Sequence, residues 1–308
     1  MRCAERRVMN ISSKAKNQWR KTVTGYIFLL PVIVGLALFT ILPLCKSLYY
    51  SFTEYDNITS PVWIGVRNFV SMWSEPFFVK SVGNTFLYAF VSVPLGLVCS
   101  FFLALALSAN LKGIKVFRAL FYLPVILPAV ASGVLITDLF SHTYGIYNRI
   151  LTALGMPRFP FFAAENTAMF SLILYGLWGM GSSMLIWLAG FRSVSETYYE
   201  VAKIEGGGPF WTLFHVTIPM TTPTIFYNLV MGIINAMQIF TPVYVITSGG
   251  PNGATSTLAY LIYIYGLSYW EMGLASAMAW FLFVIIMGMT LVVFKTNKWV
   301  YYEGDSAR

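Results

Sequence analysis

The feature that most constrains this chain is a series of long apolar stretches. A helix needs about 20 predominantly apolar residues to cross a bilayer. A transmembrane β-barrel would instead show alternating segments of about 10 residues, whereas a run such as 101–107 is apolar at every position. The pattern therefore predicts an all-α integral membrane protein. Six stretches have the required length, at approximately 24–45, 86–107, 119–140, 168–190, 223–246 and 275–295.

The composition excludes a water-soluble enzyme and a disordered chain. Of the 308 residues, 57% are hydrophobic and only 10% are charged, with a mean hydropathy of +0.69; an average soluble domain is about 25% charged. The three cysteines are scattered and only His142 and His215 offer an imidazole. We therefore expect no catalytic residues and no metal site in this chain.

The distribution of lysine and arginine predicts the orientation, because these residues concentrate on the cytoplasmic side of membrane proteins. Fifteen of the 20 lie in the N-terminal arm, the second and fourth connections and the C-terminal tail, and five lie on the other side. Both termini are therefore predicted to be cytoplasmic, in a multi-pass protein of the cell membrane. The predicted organisation is a basic arm (1–22), a six-helix membrane domain (23–296) and a tail (297–308). The basic excess indicates contact with the lipid bilayer and not with nucleic acid.

The fourth connection, 193–219, carries the most informative pattern. Ser193 with Glu196 has the form of a capping box and predicts a helix beginning there. Three glycines, 206–208, end that helix, and Pro209 suits the first position of a second one, predicted to reach about residue 216 and to stop at Ile218-Pro219. The predicted shape alone allows two interpretations: a plain amphipathic connection at the surface, or a hairpin that binds another protein.

The spacing in this connection resembles the cytoplasmic-loop signature of ABC importer permeases. That signature is Glu-Ala-Ala, three residues, Gly, nine residues, Ile, one residue, Leu-Pro. Here Glu200-Val201-Ala202 is followed at matching intervals by Gly206, Val216 and Ile218-Pro219. The resemblance covers nearly the whole chain and extends to the segments Gly25–Pro31, Phe117–Pro124 and Thr247–Pro251. The chain is similar to the first permease of carbohydrate importers of the maltose and glycerol-phosphate type.

The resemblance implies a MetI-like permease fold whose loop docks on a separate ATPase. Two ATPase subunits would bind ATP and Mg²⁺, a second similar permease would complete the pore, and an external or periplasmic binding protein would deliver the solute. The chain itself has no phosphate-binding Gly-x-x-x-x-Gly-Lys-Ser/Thr loop, so it is not expected to be an enzyme. The residues implied for the coupling loop are Glu200, Ala202, Glu205, Gly206, Gly207, Pro209 and Pro219.

Polar residues within the fourth and fifth stretches are candidates for a substrate path, because such residues are costly in a membrane unless they face a cavity or a partner helix. Asn228 and Asn235 are seven residues apart and share one helix face, with Gly232 between them and Gln238 at its edge. The same stripe equally suits helix–helix packing. Ser182 and Ser183 are the corresponding residues of the fourth stretch, and the resemblance places the sugar path near Ser183 and 235–238.

Three other functions have distinct requirements. A peptide or amino-acid ABC importer shares the cytoplasmic loop. An ion-coupled secondary transporter needs an intramembrane acid, for which Asp138 is the available residue; an interfacial carboxylate is the other interpretation of Asp138. A membrane enzyme needs clustered His, Asp or Glu at one depth, and the sequence shows none.

Overall fold

The computed structural model describes Trp19 and residues 24–109 and 111–301. The predicted basic arm therefore lies outside the described residues except for Trp19, and so does the predicted tail beyond residue 301. The described chain is mainly helical, with one short antiparallel hairpin that pairs Thr53 with Trp63. The first half contains α1 (Thr24–Ser51), β1 (Thr53–Glu54), β2 (Val62–Trp63), α2 (Arg67–Ser71), α3 (Phe78–Ser108), α4 (Ile114–Ile126), α5 (Ala129–Leu139) and α6 (Ile146–Ala153).

The second half contains the segments that position the candidate sites. A helical segment over 209–220, here α10, is α-helical at both ends (Pro209–Thr212 and Ile218–Met220) and π-helical over Leu213–Thr217. A further π-helical turn covers Val243–Thr247, and a 3₁₀ turn covers Asn297–Trp299. The remaining helices are α7 (Glu165–Trp178), α8 (Gly181–Ser193), α9 (Glu196–Ile204), α11 (Thr222–Met237), α12 (Leu258–Ser268) and α13 (Met272–Lys295).

The helix lengths agree with a membrane domain. Three helices, α1, α3 and α13, are each long and apolar enough to cross a bilayer. The α4–α5 and α7–α8 pairs are bent by 100° and 47°, and up to five spans result if each pair counts as one. The predicted all-α membrane class is confirmed, while the number of six spans stays a prediction.

The third and fourth predicted stretches are not continuous helices. In the third, Pro128 follows Leu127, whose ψ of 137° is extended. Proline disfavours the helical conformation of the residue before it and has no N–H of its own, so the helix stops at Ile126 and restarts at Ala129. The fourth is interrupted at Gly179-Met180, between α7 and α8.

The fifth predicted stretch is also shorter than expected. It reaches only Met237, not residue 246. Pro242 has no N–H to donate to the Gln238 carbonyl four residues back, so a continuous α-helix would lack that bond. Within the break, the Ile239 carbonyl accepts a hydrogen bond from the Thr257 hydroxyl at 2.9 Å. The helix resumes after this break at Thr241 and becomes π-helical over Val243–Thr247.

Helix α3 lies at the centre of the packing and contacts α7, α8, α11 and α12, while α13 packs against α1, α11 and α12. The buried Trp187 of α8 shows how the α3 contact is made. Its indole N–H donates to the Ser100 hydroxyl at 3.0 Å, and its ring packs edge-on against Phe101 with centroids 5.1 Å apart. The polar atom of this large side chain is thereby satisfied inside the protein.

Glycine allows two of these helices to approach closely. A Cβ atom at Gly181 would collide with the carbonyl oxygen of Phe121 and lie 3.0 Å from Cα of Tyr122, both backbone atoms of α4. Backbone of this kind cannot rotate away as a side chain can. Small residues of this type let helix backbones pack where lipid offers no hydrophobic driving force.

We expect Gly181→Ala to destabilise the protein by about 1–3 kcal/mol, the usual cost of overpacking. Gly83→Ala, on α3, is the matched control because an added Cβ there meets nothing within 4 Å. The control should be neutral or more stable by up to about 1 kcal/mol, since alanine is the better helix former. Thermal unfolding of both variants in the same detergent measures the difference, and equal midpoints would contradict the packing role of Gly181.

Candidate functional site

The predicted coupling loop forms a helical hairpin made of α9 and α10. Its start differs from the prediction: α9 begins at Glu196, and Ser193 is the last residue of α8. The Ser193 hydroxyl donates back to the Gly190 carbonyl at 2.8 Å, so the predicted capping box does not form. Ser195 takes the N-cap position instead, because Val194 has already left the helical region with ψ 123°.

The glycine elbow forms as predicted. Gly206 adopts φ +79°, the left-handed region that favours glycine. Its N–H donates to the carbonyl of Lys203 at 3.1 Å, and the N–H of Gly207 donates to the carbonyl of Ala202 at 2.8 Å. These two bonds make a Schellman motif, which satisfies the last carbonyls of α9. Gly208 is then extended, and Pro209 is the first residue of α10.

Only one side chain of α9, Ala202, is buried. Glu200 and Glu205 are exposed, and so are the apolar side chains of Ile204 (85%) and Phe210 (78%). A hairpin that buried its apolar face internally would not leave these two groups so exposed. The hairpin therefore presents an unpartnered surface of mixed apolar and acidic character.

The second arm of the hairpin continues further than predicted. The helix does not end near residue 216, because the π-helical turn continues it through Pro219 to Met220. The Ile218 N–H donates to the carbonyl of Leu213, five residues back, which is the π-helical pattern. Thr221 then closes the arm, donating from its hydroxyl to the carbonyl of Thr217 at 2.7 Å. The hairpin is thus joined almost directly to α11.

A cleft of about 260 Å³ lies within the membrane domain, between α3, the α7–α8 bend and the C-terminal part of α11. Of the predicted path residues, Ser183, Asn228 and Asn235 line it, together with Gly232. Ser182 and Gln238 do not. Ser182 is exposed on another face of α8, and Gln238 lies beyond the last residue of α11, where the helical stripe has ended.

The sequence analysis missed two polar residues of this cleft. Tyr88 and Ser92 line it from α3. They are four residues apart on one helix face within an apolar span, so the criterion applied to the fifth stretch also identifies them. Asn228 is buried, and its amide donates to the Thr224 carbonyl at 3.0 Å. Its carbonyl oxygen remains available as an acceptor.

The cleft offers hydrogen-bonding groups without charge. Its lining contains no Asp, Glu, Lys, Arg or His, and two serines, two asparagines and a tyrosine supply donors and acceptors. Asp138 lies outside it, exposed at the end of α5, where the Tyr144 hydroxyl donates to its carboxylate at 3.2 Å. Among the described residues, no three His, Cys, Asp or Glu side chains are grouped to hold a metal ion.

Comparisons with known proteins agree with this architecture. Residues 92–300 match the family described as binding-protein-dependent transport system inner membrane component. The chain is 38% identical over 296 residues to the probable ABC transporter permease protein YesP of Bacillus subtilis, covering 94% of this chain and 96% of the relative. It is 30% identical to the trehalose/maltose transport system permease protein MalF of Thermococcus litoralis, covering 94% and 98%.

A solved structure has the same fold. A bacterial ABC transporter involved in the import of the acidic polysaccharide alginate contains a chain that superimposes with a TM-score of 0.83 at 21% identity, covering 94% of this chain and 100% of that one. The helical membrane architecture and these matches agree. The chain belongs to the family of binding-protein-dependent transport system inner membrane components, as the permease subunit of an ABC importer and not as an ATP-hydrolysing enzyme.

Proposed function

We propose that this chain forms half of the translocation path for a sugar or sugar-like solute in an ATP-driven importer. The observation that carries the proposal is the uncharged polar cleft at Tyr88, Ser183 and Asn235. Hydroxyl, amide and phenol groups can donate to and accept from the hydroxyls of a sugar without the desolvation cost of an ion. A relative named for trehalose and maltose transport supports the same substrate class.

The alternatives need features that this cleft does not offer. A peptide or amino acid carries a fixed ammonium and carboxylate, for which a charged partner in the path is the ordinary means of recognition. An ion-coupled transporter would depend on Asp138, which lies outside the cleft and already accepts a hydrogen bond from Tyr144. The sugar substrate therefore remains the best-supported choice.

The hairpin is proposed to be the docking element for a separate ATPase. Exposed Ile204 and Phe210 would enter an apolar groove of the partner, and the Glu200 and Glu205 carboxylates would bind its basic or hydrogen-bonding groups. Ala202, Gly206, Gly207, Pro209 and Pro219 would hold the geometry. ATP and Mg²⁺ would be bound by two such ATPases, which act by rigid-body motion of the docked hairpins.

The remaining partners follow from this role. A second, similar permease would close the path around the cleft, and a solute-binding protein would deliver the substrate at the opposite membrane face, where the β1–β2 hairpin and α6 lie. The excess of Lys and Arg supports a cytoplasmic position for both termini and for the coupling hairpin.

Orientation is tested with single cysteines introduced at Ser195 and Asn252 in a chain lacking its three native cysteines. In intact cells a membrane-impermeant maleimide should label the Asn252→Cys variant and leave Ser195→Cys unlabelled until the membrane is opened. The reverse pattern would overturn the proposed orientation.

The docking role is tested by gentle detergent purification of the chain and quantification of the proteins that accompany it. We expect an ATPase and a second permease with the wild type. Gly206→Val should lower ATPase recovery about tenfold while membrane insertion and the second permease persist, since a β-branched residue in the left-handed region costs on the order of 1–3 kcal/mol.

Gly208→Val is the matched control for this experiment. Gly208 has φ −71°, and an added Cβ there meets nothing within 4 Å. ATPase recovery with this variant should equal that of the wild type. Full recovery with Gly206→Val, or a wild-type chain that purifies without any ATPase, would refute the docking proposal.

The substrate path is tested with Asn235→Leu, using Gln238→Leu as the control because Gln238 does not line the cleft. Loss of one hydrogen bond is worth about 1 kcal/mol, so the half-saturation constant for the transported sugar should rise about fivefold with Asn235→Leu only. Uptake of maltose, trehalose and dialanine by proteoliposomes holding the assembled importer provides the measurement. Transport of dialanine but of neither sugar would favour the peptide alternative. Equal transport kinetics in the two variants would show that Asn235 acts only in helix packing.

A further inference from the structure

A second cleft, of about 410 Å³, lies where the membrane helices meet the coupling hairpin. It is separate from the translocation cleft, with which it shares no residue. Its lining contains both apolar and polar side chains, as a site for an amphiphile requires. The apolar part comprises Leu105, Leu188, Phe191 and Val194, and the polar part comprises Ser108, Arg118, Arg192, Glu196, Tyr199 and Thr217.

The two arginines differ in how they are held. The half-buried Arg118 is fixed, because its Nε and Nη2 atoms donate to the Leu107 carbonyl at 3.1 and 2.7 Å and so cap the last turn of α3. A guanidinium has five N–H donors, so three remain. Arg192 lies in the last turn of α8 and is exposed, and its guanidinium makes no hydrogen bond or ion pair with any other residue that the structure describes.

The charge of the lining is positive. Two guanidinium groups face one carboxylate, Glu196, and that carboxylate is in ion-pair distance of neither arginine within the described chain. Planar guanidinium groups bind phosphate through paired N–H donors, which makes arginine the preferred residue for phosphate recognition. The polar part of the cleft is therefore suited to a phosphate.

The position of the cleft indicates the rest of the ligand. It lies at the end of the apolar helix α3, which stops at Ser108, and its apolar wall runs along α3 and α8. On the proposed orientation this is the cytoplasmic membrane boundary, where basic pockets between helices bind anionic lipid headgroups. We propose that the cleft binds an anionic phospholipid, with its phosphate at Arg118 and Arg192 and an acyl chain along the apolar wall.

A lipid in this cleft would contact both moving parts of the importer. Leu105 and Leu188 belong to the membrane helices, whereas Tyr199 and Thr217 belong to the two arms of the hairpin, with their hydroxyls 3.5 Å apart. The bound lipid would bridge the helices and the hairpin. It would thereby tie the stability of the hairpin to the lipid composition of the inner leaflet.

The test uses the purified complex in micelles containing equal amounts of phosphatidylglycerol and phosphatidylcholine, with bound lipid counted by native mass spectrometry. Wild type should retain one phosphatidylglycerol in preference to phosphatidylcholine. Arg192→Gln should weaken that retention about tenfold. Arg192 is chosen over Arg118 because it holds no other residue in place, and an unchanged thermal midpoint verifies that the variant is folded.

Lys295→Gln is the matched control, since Lys295 is exposed at the end of α13 and does not line the cleft. Equal retention of the two lipids, or equal loss in both variants, would overturn the proposal in favour of general attraction to anionic membranes. In a third arm of the experiment, inorganic phosphate at 10 mM replaces the lipid. If phosphate binds in an Arg192-dependent way and no lipid is retained, the cleft is a free-phosphate site and the lipid proposal is refuted. All these readouts are independent of the sugar and of ATPase docking.

Discussion

The demand for backbone hydrogen bonds in a bilayer governs this structure. No water is present at that depth to satisfy an exposed N–H or C=O, so the chain is helical wherever it crosses, and a break requires a substitute partner. The break after α11 shows such a substitution, with the Thr257 hydroxyl bonding the Ile239 carbonyl. At this break the protein itself supplies the hydrogen-bond partner that the bilayer lacks.

The candidate translocation cleft lies at these breaks. Gly176, Gly179 and Met180 line it at the α7–α8 bend, and Ile239 and Pro242 line it just beyond the end of α11. Where a helix stops, its side chains no longer fill the interface regularly and space remains between neighbouring helices. The polar residues Ser183 and Asn235 flank that space on both sides. Interrupted helices around a binding site are a recurrent solution in membrane transporters.

The coupling hairpin follows a different physical rule because it does not have to exclude lipid. Its backbone is completed locally by the Schellman motif at Gly206, and its side chains are left largely exposed. It is attached to the membrane domain through the continuous path from α10 into α11. The result is an element whose surface remains open to a partner, next to the cleft lined by Arg118 and Arg192.

The sequence by itself determined the all-helical membrane class, the glycine elbow and the polar stripe of α11, because these depend on local composition and spacing. Apolar length decides whether a helix can cross, and only glycine takes φ +79° at low cost at position 206. Tertiary structure alone decided which polar residues meet: Ser183 faces the cleft and Ser182 does not, and Tyr88 joins it from a helix distant in sequence. It also decided the angle of each helix bend and brought Arg192 and Arg118 into the lining of one cleft. Helix rotation and the direction of each bend depend on side-chain contacts between elements, which spacing along one chain does not encode.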